Sequence, residues 1–410
     1  MEERTYSFSF KGRDAKIADI GRDLNVATVL EGSVRTAGDR VRINAQLIDV
    51  AHGFELWSDS YDRELTDILQ VQDEIAGAVA RALQVTLLGE KTARREVSPE
   101  AYNAYLQGKY FANRLGEETL NSAITHYERA LSIEHEWAEA WVGLAMALQW
   151  GARFDHIPVV EGFAQARFAV EQALRHDPDL AAAHAALGWI RWSWDFDFAG
   201  AGAAYRRALQ LEPGNLDAIN GSAHLARCLG DYDEAVALSR RAVELDPLNP
   251  NIHMYLAEHL LLMGRYAEAI SAIQQTLRLN PDQVAGHWGH CWILLELDRP
   301  EEALVAIEKE VAPFFRLYGR ILAQLELGRR EEADAGLQQM IEEHAEYGAL
   351  NIAFVYARRG EPDLAFEWLE LAYEQRDTGL PYIKSILEKD LGSDPRWKPY
   401  LKKIGFPDSG

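Results

Sequence analysis

Cysteine is almost absent from this chain: two thiols, Cys228 and Cys291, stand among 410 residues. A disulfide-stapled fold is excluded on that count, and isolated thiols in different segments read as small buried side chains rather than a bridge. Long apolar runs are missing too. None reaches the roughly 18 residues that cross a bilayer. The start, MEERTYSFSFKGRDAK, has neither the basic cap nor the apolar stretch of a secretion signal. The expectation is a cytoplasmic protein with no membrane insertion. Basic charge is short as well: 42 Lys and Arg face 64 Asp and Glu, a net charge of −22. Residues 1–97 hold 13 of the bases and 17 of the acids, so most of the excess lies further on. A nucleic-acid partner needs a basic face, which these stretches do not offer, and none is expected. With 48% hydrophobic residues there is apolar material for two domains.

What is present is a period. Alanines recur at Ala123, Ala166, Ala201, Ala235, Ala269, Ala303, Ala333 and Ala365, and the step from Ala201 to Ala303 is 34 residues three times over. About 34 residues hold two antiparallel helices and their turns, and such a pair buries its apolar face only when another stacks on it. Seven residues after each marker, two turns down the same face, come Ala130, Ala173, Ala208, Ala242 and Ala372, with Thr276 in the same column. Pro178, Pro213, Pro247 and Pro281 follow twelve residues after their markers, where the helix must stop. Gly230, Gly264, Gly328 and Gly360 stand five residues before theirs, and supply the left-handed step that ends a first helix.

These columns, with YDEAVALSRRAVELDPLNP (232–250) and YAEAISAIQQTLRLNP (266–281), resemble the tetratricopeptide repeat family. The resemblance implies a mainly α fold: a right-handed α-solenoid of about eight helix pairs over 98–376, followed by a capping segment at 377–410. The pattern departs in places. His135 takes the proline place in the first unit, the second unit carries an insertion around 149–160, and Glu310 and Met340 stand in the second small-residue column.

Residues 1–97 have another rhythm, that of a small α+β domain. Asp14 can cap a helix with Ile17, Ile20 and Leu24 on one face. Residues 27–35 read as a β-branched strand, TAGD (36–39) as a turn, and 40–49 as a strand in strict alternation. Val41, Ile43, Ala45 and Leu47 point one way; Arg42, Asn44 and Gln46 point the other. A third strand is expected at 54–61, then a long amphipathic helix marked by Ile68, Val71, Ile75, Val79 and Leu83. VLEGSVR, RVRINAQLIDV and LWSDSYDRELTDILQVQDEIA resemble part of the TolB-like module placed before such repeats in bacterial regulators. That module opens with a further strand and helix, so the resemblance implies a shortened gene start, a cut polypeptide or a partner that completes it.

Several constellations imitate chemistry. His287, His290 and Cys291 can be drawn as a metal site, yet they fall at repeat positions that face the contact within the pair and read as packing. Gly200 and Gly202 imitate a phosphate loop but follow no strand. Glu301 with Glu302 and Glu331 with Glu332 sit at helix starts, where negative charge suits the helix dipole. No catalytic residues, metal or cofactor are expected, and the chain is not read as an enzyme.

In the repeat family the groove is lined by the second, fifth, ninth and twelfth places of each first helix. Carried over, these are Asp217, Asn220, His224 and Arg227; Asn251, Met254, Glu258 and Leu261; and Ala285, Trp288, Trp292 and Leu295. Their aromatic, mildly polar chemistry fits a protein or peptide partner, an extended peptide or an apolar helix. A second aromatic group, Trp189, Trp192, Trp194, Phe196 and Phe198, reads as core, with a binding patch as the alternative if the tryptophans prove exposed. The expected role is a scaffold or regulatory protein, with self-association through the amino-terminal module. The alternative is the sensory half of a class III nucleotide cyclase or winged-helix regulator whose effector domain lies upstream.

Overall fold

The computed structural model describes residues 17–23, 26–37, 40–50, 55–64, 71, 74–75, 78–79, 97–112, 117–153 and 156–407. The chain divides into two compact units, one of residues 1–106 with 129–135 and one of 107–128 with 136–410.

In the first unit, α1 (Ile17–Asp23) precedes a three-stranded antiparallel sheet of β1 (Thr28–Ala37), β2 (Arg40–Asp49) and β3 (Glu55–Glu64), in the order β1-β2-β3. β2 has the bounds its alternation predicts. β1 begins one residue later than expected and runs two further, and β3 runs three further. The expected cap Asp14, Leu24, Phe54 and most of the 68–83 helix lie outside the described residues; Val71, Glu74, Ile75, Ala78 and Val79 are helical.

Cross-strand pairing sorts the sheet into two faces. Leu30, Gly32 and Val34 stand opposite Leu47, Ala45 and Ile43, and these face Trp57, Asp59 and Tyr61. On the other face, polar side chains form rungs. Gln46 donates to Glu31, Asn44 bridges Ser33 and Ser60, and Arg40 and Arg42 both grip Asp62. The hydrogen bonds of Arg42 and Arg40 hold the Asp62 carboxyl below its usual range. Cover on the apolar face is uneven. Val41, Ala45 and Leu47 are buried, whereas Leu30 and Val34 on β1 are 51% and 65% exposed.

Eight helix pairs follow: α2 (Pro99–Ala112) with α3 (Glu117–Ile133), α4 (Ala138–Arg153) with α5 (Val159–His176), α6 (Ala181–Ser193) with α7 (Phe198–Leu211), and α8 (Leu216–Leu229) with α9 (Tyr232–Leu245). Then come α10 (Pro250–Leu262) with α11 (Tyr266–Leu279), α12 (Gly286–Glu296) with α13 (Pro300–Ile307), α14 (Pro313–Glu326) with α15 (Arg330–His344), and α16 (Ala349–Arg358) with α17 (Pro362–Gln375). A 3₁₀ turn (Leu380–Tyr382), α18 (Ile383–Leu391) and α19 (Trp397–Lys403) end the described chain.

The alanine markers are the close-approach points. Ala123, Ala201, Ala235 and Ala303 have no exposed surface, and neither have Ala130, Ala208 and Ala242 in the second column. Thr276 keeps that column because its hydroxyl donates to the Pro250 carbonyl at 3.1 Å, which satisfies the one polar atom it adds. Gly230, Gly264, Gly328 and Gly360 adopt left-handed φ of 88°, 71°, 69° and 71°. The same place in the third and sixth pairs holds Phe196 and Asp298, both at φ 57°. Phe196 carries there the cost of a left-handed turn, about 1–2 kcal/mol for a bulky side chain, whereas aspartate tolerates that region better.

Three departures from the pattern have physical solutions. The second-unit insertion lengthens α4 to Arg153. Met340 is fully buried in the core of its pair. Glu310, also fully buried, accepts hydrogen bonds from the backbone N–H groups of Ala285, His287, Trp288 and Ala312, and so serves as the cap of α12. At Gly200 the Asp197 carboxylate accepts from the backbone N–H at 2.8 Å, so α7 starts with its own cap.

Candidate binding groove

The first helices of the pairs place one another's inner faces side by side, and a register repeats along them. Places nine and twelve bring Trp189 and Trp192 on α6 next to His224 and Arg227 on α8, then Glu258 and Leu261 on α10, then Trp292 and Leu295 on α12. On α4 the twelfth place is Gln149, and Arg153 lies one turn beyond.

An unbroken run of rings lines the second to fifth pairs. Trp150 meets Trp189 at 5.6 Å, Trp189 meets Trp192 at 5.0 Å, and both tryptophans approach His224, which packs on Tyr255 at 4.5 Å and His259 at 5.5 Å. Burial, and then the neighbouring His259, Arg227 and Arg153, hold His224 well below the ordinary imidazole value. Burial and then Arg227 push His259 down to about 3. Both rings are therefore neutral at pH 7, and the Nδ1 of His259 lies 2.7 Å from the Ser239 hydroxyl.

The chain's own carboxyl-terminal segment covers this surface. Tyr382 sets its ring 5.3 Å from Trp192 and 5.9 Å from His224, beneath the Arg227 guanidinium at 4.5 Å. Arg227 also pairs with Glu258 at 2.5 Å and reaches the Ser385 hydroxyl at 3.3 Å. Lys384 donates to the Leu229 carbonyl, Lys389 pairs with Glu296, and Arg358 links Glu296 to Asp390. At the edge, Arg376 lies over Trp194 and Phe196, and Phe406 packs on Phe198 at 4.7 Å.

The expected lining residues therefore meet different fates. His224, Arg227, Met254, Leu261 and Leu295 are buried; Asn220, Asn251, Glu258, Ala285, Trp288 and Trp292 are half-buried; and Asp217 is exposed. Asn251 accepts from Gln283 at 2.9 Å. Trp288 stacks on Trp292 at 5.9 Å and leans on Tyr318 at 4.6 Å. Trp189 and Trp194 are half-buried and Trp192 is fully buried, so the 189–198 aromatics are packing, much of it against residues 376–406. Cys291 is core, with its Sγ 3.9 Å from the Gly319 carbonyl oxygen, while His287 and His290 are half-buried.

On α4 the twelfth place, Gln149, follows the family positions, and Arg153 extends the surface by one turn. The Arg153 guanidinium stacks on Trp150 and Trp189, at 5.9 and 5.7 Å, and its Nη1 is buried without a partner. Both amide atoms of Gln149, 2% exposed, are unpaired as well. Each such group costs about 1–3 kcal/mol relative to a satisfied one.

Comparisons with known proteins give a family match, a sequence relative and structural neighbours. A tetratricopeptide repeat family model matches residues 229–289. A Rhizobium meliloti protein named "Putative adenylate cyclase 3" is 36% identical over 203 residues, which are 46% of this chain and 34% of that protein. The chain thus spans about a third of the length of that curated relative. Among solved structures, the Cut9 and Hcn1 assembly of the APC/C is matched at a TM-score of 0.50 and 13% identity, over 75% of this chain and 55% of that one. Pseudomonas aeruginosa pilF is matched at 0.40 and 21%, over 52% and 93%.

Proposed function

We propose that the helix pairs are tetratricopeptide repeats and that the chain is a regulatory or scaffolding protein that binds a peptide or helix of another protein on their inner face. The observation that carries the reading is the half-buried Trp288 and Trp292 pair, stacked on the inner face of the sixth unit. Large rings that keep part of their surface open are the usual anchors of interfaces. On this reading the chain works in the cytoplasm and has no catalytic centre of its own. Trp288→Ala with Trp292→Ala weakens binding of a purified partner by more than about 2 kcal/mol, while added salt changes affinity little. Titration calorimetry on a double mutant with wild-type circular dichroism tests it, and unchanged affinity places the partner elsewhere.

The likeness to the Rhizobium meliloti protein favours a second reading, in which this chain is the sensory part of a nucleotide cyclase or a related bacterial regulator. Coding sequence immediately upstream separates the two: an in-frame cyclase or winged-helix region supports the second, and an unrelated gene removes it.

We further propose that the sheet unit, which resembles part of a TolB-like module, self-associates along β1. Leu30 and Val34 stand exposed on that strand, which is an edge among the described residues, and exposed apolar edges pair readily with another chain. Light scattering should show the wild type as a dimer or larger and Leu30→Lys with Val34→Glu as a monomer; two identical masses would remove the proposal.

A further inference from the structure

We infer that the inner face of the second to fourth helix pairs is a partner site held shut by residues 380–391, and that the partner is a helical segment placing an aromatic ring where Tyr382 sits and a carboxylate at Arg153. The inference deepens the protein-binding reading above and rests on it.

Three observations carry it. First, the surface already holds a helix. Tyr382 is inserted among Trp192, His224 and Arg227, and α18 lies along α8, 158 residues away in sequence at the Arg227 to Ser385 contact. That is how a partner helix enters a groove, with one ring as its anchor.

Second, the occupant leaves a corner unsatisfied. In this acidic chain the neighbouring inner-face arginines have carboxylates: Arg227 has Glu258, and Arg358 has Glu296 and Asp390. Among the described residues the Arg153 guanidinium has the faces of Trp150 and Trp189 and no carboxylate, its Nη1 is unpaired, and one turn away the Gln149 amide has neither a donor nor an acceptor opposite it. A carboxylate brought there meets a guanidinium and an amide N–H that the closed segment leaves unpaired. This is the differential contact a ligand needs in order to shift an equilibrium between closed and open forms.

Third, the polar part of the closure is replaceable, whereas Leu380, Ile383, Leu387 and Leu391 are buried, so the partner helix has to supply apolar contact in their place. The Lys389 to Glu296 pair is exposed on the lysine side, and the Lys384 and Ser385 hydrogen bonds are 3.3–3.4 Å contacts at the rim.

The chain carries its own reporter of opening. Cys228, next to Arg227 on α8, is fully buried in the surroundings of Tyr382 and Arg153, and burial pushes its thiol up to about 12. Cys291 is equally buried, pushed up to about 12 by the same cause, and lies against Gly319 instead. Only thiolate alkylates readily, so lifting residues 380–391 accelerates Cys228 and leaves Cys291 as the internal control.

The test uses the full chain, iodoacetamide and mass spectrometry, with two variants: Tyr382→Ala, which removes the anchor, and Lys389→Glu, which sets a carboxylate against Glu296 without touching the core. Cys228 should alkylate at least tenfold faster than in the wild type in both, with Cys291 unchanged. Wild-type rates at Cys228 in both variants, or rates at the two cysteines that rise together, overturn the closure. The partner chemistry is read with synthetic peptides of residues 380–392 added to Tyr382→Ala. A succinyl cap, which puts a carboxylate three positions before the tyrosine, should bind at least threefold tighter than an acetyl cap, and Arg153→Gln should abolish that gain. Equal affinities of the two caps overturn the assignment of a carboxylate to Arg153. The alkylation assay needs no partner, so its failure is separate from failure of the calorimetry at Trp288 and Trp292.

Discussion

His224 and Trp292 hold the same ninth place in the fourth and sixth pairs, yet His224 is buried under Tyr382 while Trp292 keeps part of its ring open beside Trp288. The repeat fixes where a side chain points. Whether that direction leads to solvent, to a partner or to another part of the same chain depends on residues more than a hundred positions away. The fourth pair's inner face is an internal interface, and the sixth pair's is a surface.

The largest effect that can break this contrast is on stability. Trp192→Ala, which empties a fully buried site beside Tyr382, should cost about 3–5 kcal/mol, whereas Trp292→Ala should cost less than half of that. Urea unfolding of the two variants decides it, and equal losses would mean that both inner faces are core.

Next in size is the device that starts the sixth pair. α8 has a cap on its own loop, Asn215, but α12 depends on Glu310, 22–25 residues away, which serves N–H groups of Ala285, His287 and Trp288. Glu310→Ala should destabilise the chain by about 2–3 kcal/mol, against about 1 kcal/mol for Asn215→Ala. Tryptophan fluorescence during unfolding should show the first change at Trp288 and Trp292; a loss at Glu310 no larger than at Asn215 would contradict the capping role.

The smallest effect distinguishes the two faces by pH. His224 and His259 are held neutral in the folded chain, with His259 down at about 3, and unfolding returns both to the ordinary value near 6.5. The unfolded chain then binds protons that the folded chain refuses, so stability is flat above pH 6.5 and falls as the pH drops below it, towards the folded values. A loss of about 1–2 kcal/mol between pH 7 and pH 6 is expected from the two rings together. His259→Asn should flatten that slope; an unchanged slope would assign the pH dependence to other groups.

Much of the fold was legible because its signals are local and repeated. Alanine at the close approaches, glycine at φ near 70°, and proline after each second helix all act within a few residues, and β2 could be read from strict alternation alone. Where the signal was not local, reading stopped. Phe196 and Asp298 occupy left-handed turns that glycine would have announced, and Glu310 looks like a flaw in a small-residue column until its four N–H donors are seen. For the candidate site, the family positions named the inner-face residues of the three most regular pairs; Gln149, the twelfth place of the irregular second pair, was missed with that pair, and Arg153 was missed because it lies on the added turn of α4.

By itself, then, the sequence determined the helix pairs, their number and phase, and the direction of each inner-face side chain, since each depends on contacts a turn or one repeat away. Only the tertiary structure decided which of those side chains remain available. The curvature of the stacked pairs accumulates over many repeats, and it brings residues 380–391 back onto α8, where one tyrosine and its neighbours turn a groove into an interior.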